Sequence, residues 1–148
     1  MNKEEIKEFL PHREPMLLVD EMEMIDETHS LGRYHVTGEE FFLKGHFPGN
    51  PVVPGVILCE MMGQACTLLL GDIVKGKTPM YAGLNNVRFK NAVHPGDTVE
   101  TTAYISDRRG LVFFVAAEAK VNGKLACKGD LSFILIPNDQ VEEKTHKN

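Results

Sequence analysis

The sequence predicts an α+β fold, an antiparallel sheet wrapped around one long central helix. Three observations predict it. Residues 56–74, VILCEMMGQACTLLLGDIV, are apolar on nearly every side of a helix. From Thr98 to Ile136 apolar and polar residues alternate with the period of half-buried strands. Within that stretch stands Asn122-Gly123, the strongest short hairpin signal.

The elements follow in order. Asn2–Leu10 reads as a short amphipathic helix with Ile6, Phe9 and Leu10 as its apolar stripe, stopped by Pro11. Leu17–Ile25 reads as a strand, with Leu17 and Val19 on one parity and Leu18, Met22 and Met24 on the other. Leu31–Thr37 is a weaker strand candidate. Phe41 and Phe42 lead into a loop dense in glycine and proline, GHFPGNPVVPG, residues 45–55. The helix over 56–74 then spans nineteen residues, a length of about 28 Å. Glu60, Gln64 and Asp72 argue against a membrane span, because a carboxylate in hydrocarbon is costly. Met80–Lys90 is a strand, and His94-Pro95-Gly96-Asp97 a turn. Val99, Thr101, Ala103 and Ile105 share one face of the next strand. In the following one, Leu111, Phe113, Val115, Ala117, Ala119 and Val121 do. Beyond the hairpin, Leu125, Cys127, Leu131, Phe133 and Leu135 continue the alternation to Pro137. A helix apolar all round must be covered, and a twisted antiparallel sheet has one apolar side to offer. The pattern therefore predicts a single domain of the hot-dog type over residues 1–137, followed by a flexible polar tail, 138–148.

Composition narrows the function. Of 148 residues, 43% are hydrophobic and 25% charged, which excludes disordered and collagen-like classes. Three cysteines without a C-x-x-C predict neither a disulfide framework nor a zinc knuckle, and fit a reducing cytoplasm. The first residues predict no secretory leader. A net charge of −5 leaves no global basic footprint for nucleic acid. The charge is uneven, however: residues 1–27 hold nine acids and three bases, the remainder twelve acids and thirteen bases. An anionic partner would need a local patch on the later part of the chain. Nucleophile-elbow, phosphate-loop and zinc-protease motifs are absent.

Glu60 is the most informative residue. It lies near the start of an otherwise apolar helix, where an unpaired carboxylate costs several kcal/mol. Two readings stand open: an exposed helix end where the dipole favours an anion, or a polar site. Gln64, one turn on along the same face, favours the site. His46 is one of six histidines, distinguished by its glycine- and proline-stiffened loop. Pro54-Gly55 places free N–H groups at the helix start, so a base, an acid and an oxyanion donor could converge within fifteen residues. Cys59 and Cys66, on the apolar helix, read as small core residues rather than nucleophiles or ligands. Lys44, Arg88, Lys90, Arg108 and Arg109 could form a basic patch, with ordinary surface solvation the alternative for each.

Three segments carry a family resemblance: LPHREPMLLVD (10–20), FFLKGHFPGNPVVPGVILCEMMGQA (41–65) and YAGLNNVRFKNAVHPGD (81–97). They resemble the short (3R)-hydroxyacyl-[acyl-carrier-protein] dehydratases of bacterial type II fatty acid synthesis, FabZ. The resemblance implies a hot-dog fold, a dimer that joins two sheets, and often three dimers in a hexamer. It implies a site at the dimer interface, with His46 of one chain as base facing Glu60 of the other as acid. It assigns the Gly55 N–H to the thioester carbonyl, the carbonyl of Val56 to the His46 ring, and Gln64 to the support of Glu60. Neither metal nor organic cofactor is implied; the substrate brings its own phosphopantetheine on acyl carrier protein, whose acidity would suit Arg88 and Lys90 first, then Lys44, Arg108 and Arg109. Alternatives are a dehydratase that also isomerises the enoyl chain, a hot-dog thioesterase, and a non-catalytic acyl-binding domain. Glu14, Met16, Met61 and Gly63 depart from the family's usual residues.

Overall fold

Asn122 and Gly123 lie at φ of 50° and 79°, the two left-handed positions that a type I′ hairpin turn demands. The sheet grows outward from this turn. The computed structural model describes residues 1–139. Its strands are β1 (Glu21–Met24), β2 (His29–His35), β3 (Lys77–Phe89), β4 (Thr98–Arg109), β5 (Val112–Val121) and β6 (Lys124–Pro137). They form one antiparallel sheet in the order β1-β2-β4-β5-β6-β3. The predicted alternation holds along β5, where Phe113, Val115, Ala117 and Ala119 are all buried. In β6 a register shift opposite Ala119 and Lys120 turns both Ala126 and Cys127 inward, a bulge that bends the strand and strengthens its twist.

The central helix is shorter than the sequence predicts. An α-helix, α2, runs only from Gly55 to Ala65, and a 3-10 stretch, Thr67–Val74, follows at 49° to it. The break has local causes. The Thr67 hydroxyl donates to the Gln64 carbonyl at 2.7 Å, competing with the helical ladder, and Gly71 takes a left-handed φ of 63°. The bend carries Leu70 and Val74 onto Phe113 and Leu135, a second small core. Among the described residues no single helix is long and apolar enough to cross a membrane.

The sheet wraps α2 as expected. Leu58, Cys59, Met61 and Met62 meet Val99, Ala103, Val115, Ala117 and Leu131 in the main core. Contact with β2 is closest at Gly32, where a Cβ would lie 2.9 Å from the Ala65 Cα; only glycine lets the helix backbone settle there. Ile105 and Leu111, predicted inward, are exposed. Ile105 lies at, and Leu111 beyond, a register shift between Ile105 and Asp107 that bends the far end of β4.

The N-terminal helix α1 (Lys3–Phe9) is closed by a capping box: Glu5 N–H donates to the Asn2 side chain at 3.0 Å, and Asn2 N–H to Glu5 at 3.1 Å. Ile6 and Leu10 bury against Leu17, Val19 and Met22. The strand expected over Leu17–Ile25 is a strand only from Glu21. Leu17, Leu18 and Val19 are all buried without alternation, because the Leu18 N–H turns to a side chain on α2 rather than to a neighbouring strand. The expected tail falls, from Gln140 on, outside the described residues.

Candidate active site

Two polar centres flank α2. The first is the glycine- and proline-rich loop that precedes it. His46 N–H donates to the Leu43 carbonyl at 3.1 Å, and Val52 N–H returns to the His46 carbonyl at 2.8 Å. Gly45 and Gly49 take φ of 83° and 74°, values open to glycine and strained for other residues. The His46 Nδ1 lies 2.9 Å from the Val52 carbonyl. A carbonyl only accepts, so Nδ1 carries the hydrogen and Nε2 keeps a free lone pair. The ring is thus oriented by Val52, not by Val56; Val56 is 75% exposed at the helix start. The loop folds back on itself over six residues, where spacing along a helix does not apply. Gly55 begins α2, and its N–H is one of those that a helix start leaves unpaired. A Cβ at Gly55 would lie 2.8 Å from the Phe89 ring, so glycine is what lets the end of β3 close over the helix start.

The second centre surrounds Glu60. Gln64 is buried and makes three hydrogen bonds: its Oε1 accepts from Leu18 N–H at 2.7 Å, and its Nε2 donates to the Met16 carbonyl at 2.7 Å and to Glu60 Oε2 at 2.8 Å. These partners fix which end of the amide is which. His12 Nε2 faces the same Glu60 oxygen at 3.5 Å. Its other nitrogen, Nδ1, is buried without a partner, so the hydrogen belongs on Nε2, towards the carboxylate. Arg13 fixes the turn that presents His12, donating to the carbonyls of Lys7, Leu10 and His12 at 2.7–2.9 Å. Burial pushes the Glu60 carboxyl up, but the facing His12 and Gln64 outweigh it and hold it below the usual glutamate value. Glu60 Oε1 takes no protein partner among the described residues. Glu60 borders a cavity of about 350 Å³ walled by Gly63, Thr67, Pro79, Met80, Tyr81 and Phe133.

The structure therefore joins Glu60 and Gln64, as the helical spacing predicts, and adds His12, which sequence reasoning left among the unassigned histidines. The signal for it was Pro11-His12-Arg13-Glu14-Pro15, a turn fixed by two prolines directly before a buried run. Within one chain Glu60 meets His12 and Gln64, not His46. The basic residues divide. Arg88 and Lys90 are exposed on either side of Phe89, beside the helix start. Arg108 pairs with Phe113 and Phe113 with Phe133, whereas Arg88 pairs with Lys128; five residues of β6 separate the two levels, roughly 17 Å. Arg108 and Arg109 are occupied over Phe113 and Phe114, and Arg109 also pairs with Asp107 at 3.2 Å. Lys44 is exposed at the end of the 3-10 turn Phe41–Leu43. Among the described residues no three His, Cys, Asp or Glu side chains converge as a metal ion would require.

Comparison with known proteins places the chain in a family. A FabA-like domain model matches residues 10–130. The 3-hydroxyacyl-[acyl-carrier-protein] dehydratase FabZ of Clostridium perfringens is 47% identical over 137 residues, covering 91% of this chain and 99% of that one. The protein of the same name from Caldicellulosiruptor bescii is 42% identical over 137 residues, 90% and 98% of the two chains. Among solved structures, the dehydratase heterocomplex ApeI:P of Xenorhabdus doucetiae superposes with a TM-score of 0.79 at 19% identity, over 95% of this chain and 96% of that one. A thioesterase superfamily member from Thermus thermophilus superposes with a TM-score of 0.67 at 20% identity, over 83% and 92%. The last two share the fold, and the sequence matches carry the kinship: the chain belongs to the FabA-like family.

Proposed function

We propose that the protein dehydrates (3R)-hydroxyacyl chains, carried as thioesters on acyl carrier protein, to trans-2-enoyl chains in fatty acid synthesis, with a site shared between two copies. The observation that carries the shared site is the free edge of β3. It is a thirteen-residue edge strand with Met80, Leu84 and Phe89 exposed, a template for pairing with another chain. A two-fold axis pairs such an edge antiparallel to itself. The Phe89 end of one copy then lies beside the Thr78–Tyr81 end of the other. The first end holds Gly55 and the loop of His46; the second walls the cavity of Glu60. Antiparallel pairing thus brings the base of one copy to the acid of its partner.

The chemistry follows from the free atoms. His46 Nε2 takes the C2 proton, which the thioester acidifies. The Gly55 N–H receives the carbonyl oxygen as enolate charge builds, a contribution of about 3–4 kcal/mol for such a donor. The C3–O bond breaks, and Glu60 gives its proton to the departing hydroxyl, which leaves as water. His46 ends protonated and Glu60 ionised; a proton passed back through water resets the pair. In the empty site Glu60 is held ionised by His12 and Gln64. An acyl chain that fills the cavity expels water, which favours the protonated acid the reaction needs. No cofactor takes part. Arg88 and Lys90, beside the helix start, suit the acidic carrier protein better than Arg108 and Arg109, which are already engaged. Three free, buried cysteines accord with a reducing cytoplasm.

The test is mass spectrometry of carrier-bound 3-hydroxyacyl chains incubated with the protein. Loss of water that disappears in His46→Ala supports the reading; a folded protein that removes no water at any chain length overturns it.

A further inference from the structure

Gly63 stands in the middle of α2, and its lack of a side chain is used. The Tyr81 hydroxyl reaches across it and donates to the Cys59 carbonyl, one helical turn back. A Cβ at Gly63 would sit on that hydroxyl and 2.8 Å from the Tyr81 Cζ. Tyr81 is held from the other side by Phe133, its direct partner across β3 and β6, with ring centroids 4.8 Å apart and planes 25° from parallel. A register shift after Tyr81 marks where β3 bends to aim the ring at the helix. The buried phenol stays protonated, because desolvation and nearby acidic groups push its ionisation far up; it is a permanent donor. Gly63, Tyr81 and Phe133 together form one side of the cavity beside Glu60.

We propose that Gly63 and Tyr81 are a matched pair that sets how long an acyl chain the cavity accepts. The bare helix surface at Gly63 seats the phenol flat against α2, and the seated ring fixes the depth of the wall. This inference rests on the dehydratase reading and adds its specificity determinant. A methyl group at Gly63 unseats the ring into the cavity and shortens it. Removing the ring lengthens it. Each methylene of fit in an apolar pocket is worth roughly 10–200-fold in discrimination.

The experiment measures kcat/KM for carrier-bound 3-hydroxyacyl chains from four to sixteen carbons (~2-carbon steps, within the discrimination just given), and binding of saturated acyl-pantetheine thioesters of the same lengths. In Gly63→Ala the optimum moves to shorter chains, with the short-to-long ratio rising at least about tenfold. In Tyr81→Val it moves to longer chains by a similar factor. Gly63→Ala combined with Tyr81→Val, which removes the whole clashing ring, loses the shift to shorter chains and follows the Tyr81→Val profile. If Gly63→Ala does not fold, Tyr81→Val decides alone. Folded variants whose profiles and binding stay at wild type, or shift in one common direction, overturn the pair while leaving the dehydratase reading intact. A wild-type protein that dehydrates nothing overturns that reading instead, and the binding series still reports whether Gly63 and Tyr81 set the depth.

Discussion

His46 and Glu60 flank the same helix but are held in opposite ways. His46 is oriented by its own neighbourhood: the Val52 carbonyl lies six residues away, the hydrogen bonds around the histidine close between Leu43 and Val52, and Val53 N–H pins the end of the loop to the Val93 carbonyl at 2.9 Å. Glu60 is oriented by distant chain. Gln64 ties it to Met16 and Leu18, 48 and 46 residues from that glutamine, and the turn of Pro11–Pro15 brings His12 to it. One centre is a stiff local motif with a single exposed nitrogen. The other is assembled only when the N-terminal segment docks on α2. The contrast teaches that the proposed base is set by the loop and the proposed acid by the tertiary fold, so the two respond differently to the same kind of damage.

The largest expected effect treats them alike. His46→Ala and Glu60→Ala each lower turnover by about 10²–10⁴, measured as water loss, with melting curves close to wild type. Next, Gln64→Leu separates the two centres. It strands the buried Leu18 N–H, at a cost of about 1–3 kcal/mol in urea unfolding, and turnover falls as Glu60 loses its support. A Gln64→Leu protein of unchanged stability would break the claim that the acid depends on docking of the N-terminal segment.

His12→Ala is subtler. Without His12, burial dominates and the Glu60 pKa rises, a shift that carbon-13 NMR of the carboxyl reads directly. The sign of the stability effect follows. A carboxyl held low in the fold stabilises above its unfolded pKa, and the contribution fades as pH falls through the folded value. The variant is therefore less stable than wild type at neutral pH, and the difference closes in acid. An unmoved Glu60 titration would remove His12 from the site. The smallest effect is electrostatic: Arg88→Ala with Lys90→Ala raises KM for carrier-bound substrate several-fold at low salt and leaves kcat alone, whereas the same changes at Arg108 and Arg109 do little.

The contrast also explains what could be read from the sequence. The alternation of β5, the Asn122-Gly123 hairpin and the His46 loop are local and were legible. So was the Glu60–Gln64 stripe, one turn of helix. The break after Ala65 was not, because a 3-10 stretch that is buried has the same apolar composition as the helix it continues; Thr67 and Gly71 were its only marks. The buried run Leu17–Val19 passed for a strand because its hydrogen-bond partner, Gln64, lies far along the chain. His12 was hidden for the same reason, and Val52 because a folded-back loop obeys no fixed spacing.

The central claim is that His46 of one copy works with Glu60 of the other. Mixing the inactive His46→Ala and Glu60→Ala proteins under conditions of subunit exchange tests it. Each mixed dimer then holds one intact site and one doubly damaged site, so activity should return to about a quarter of wild type at a two-fold interface. No recovery, with exchange shown by native mass spectrometry, would contradict the shared site.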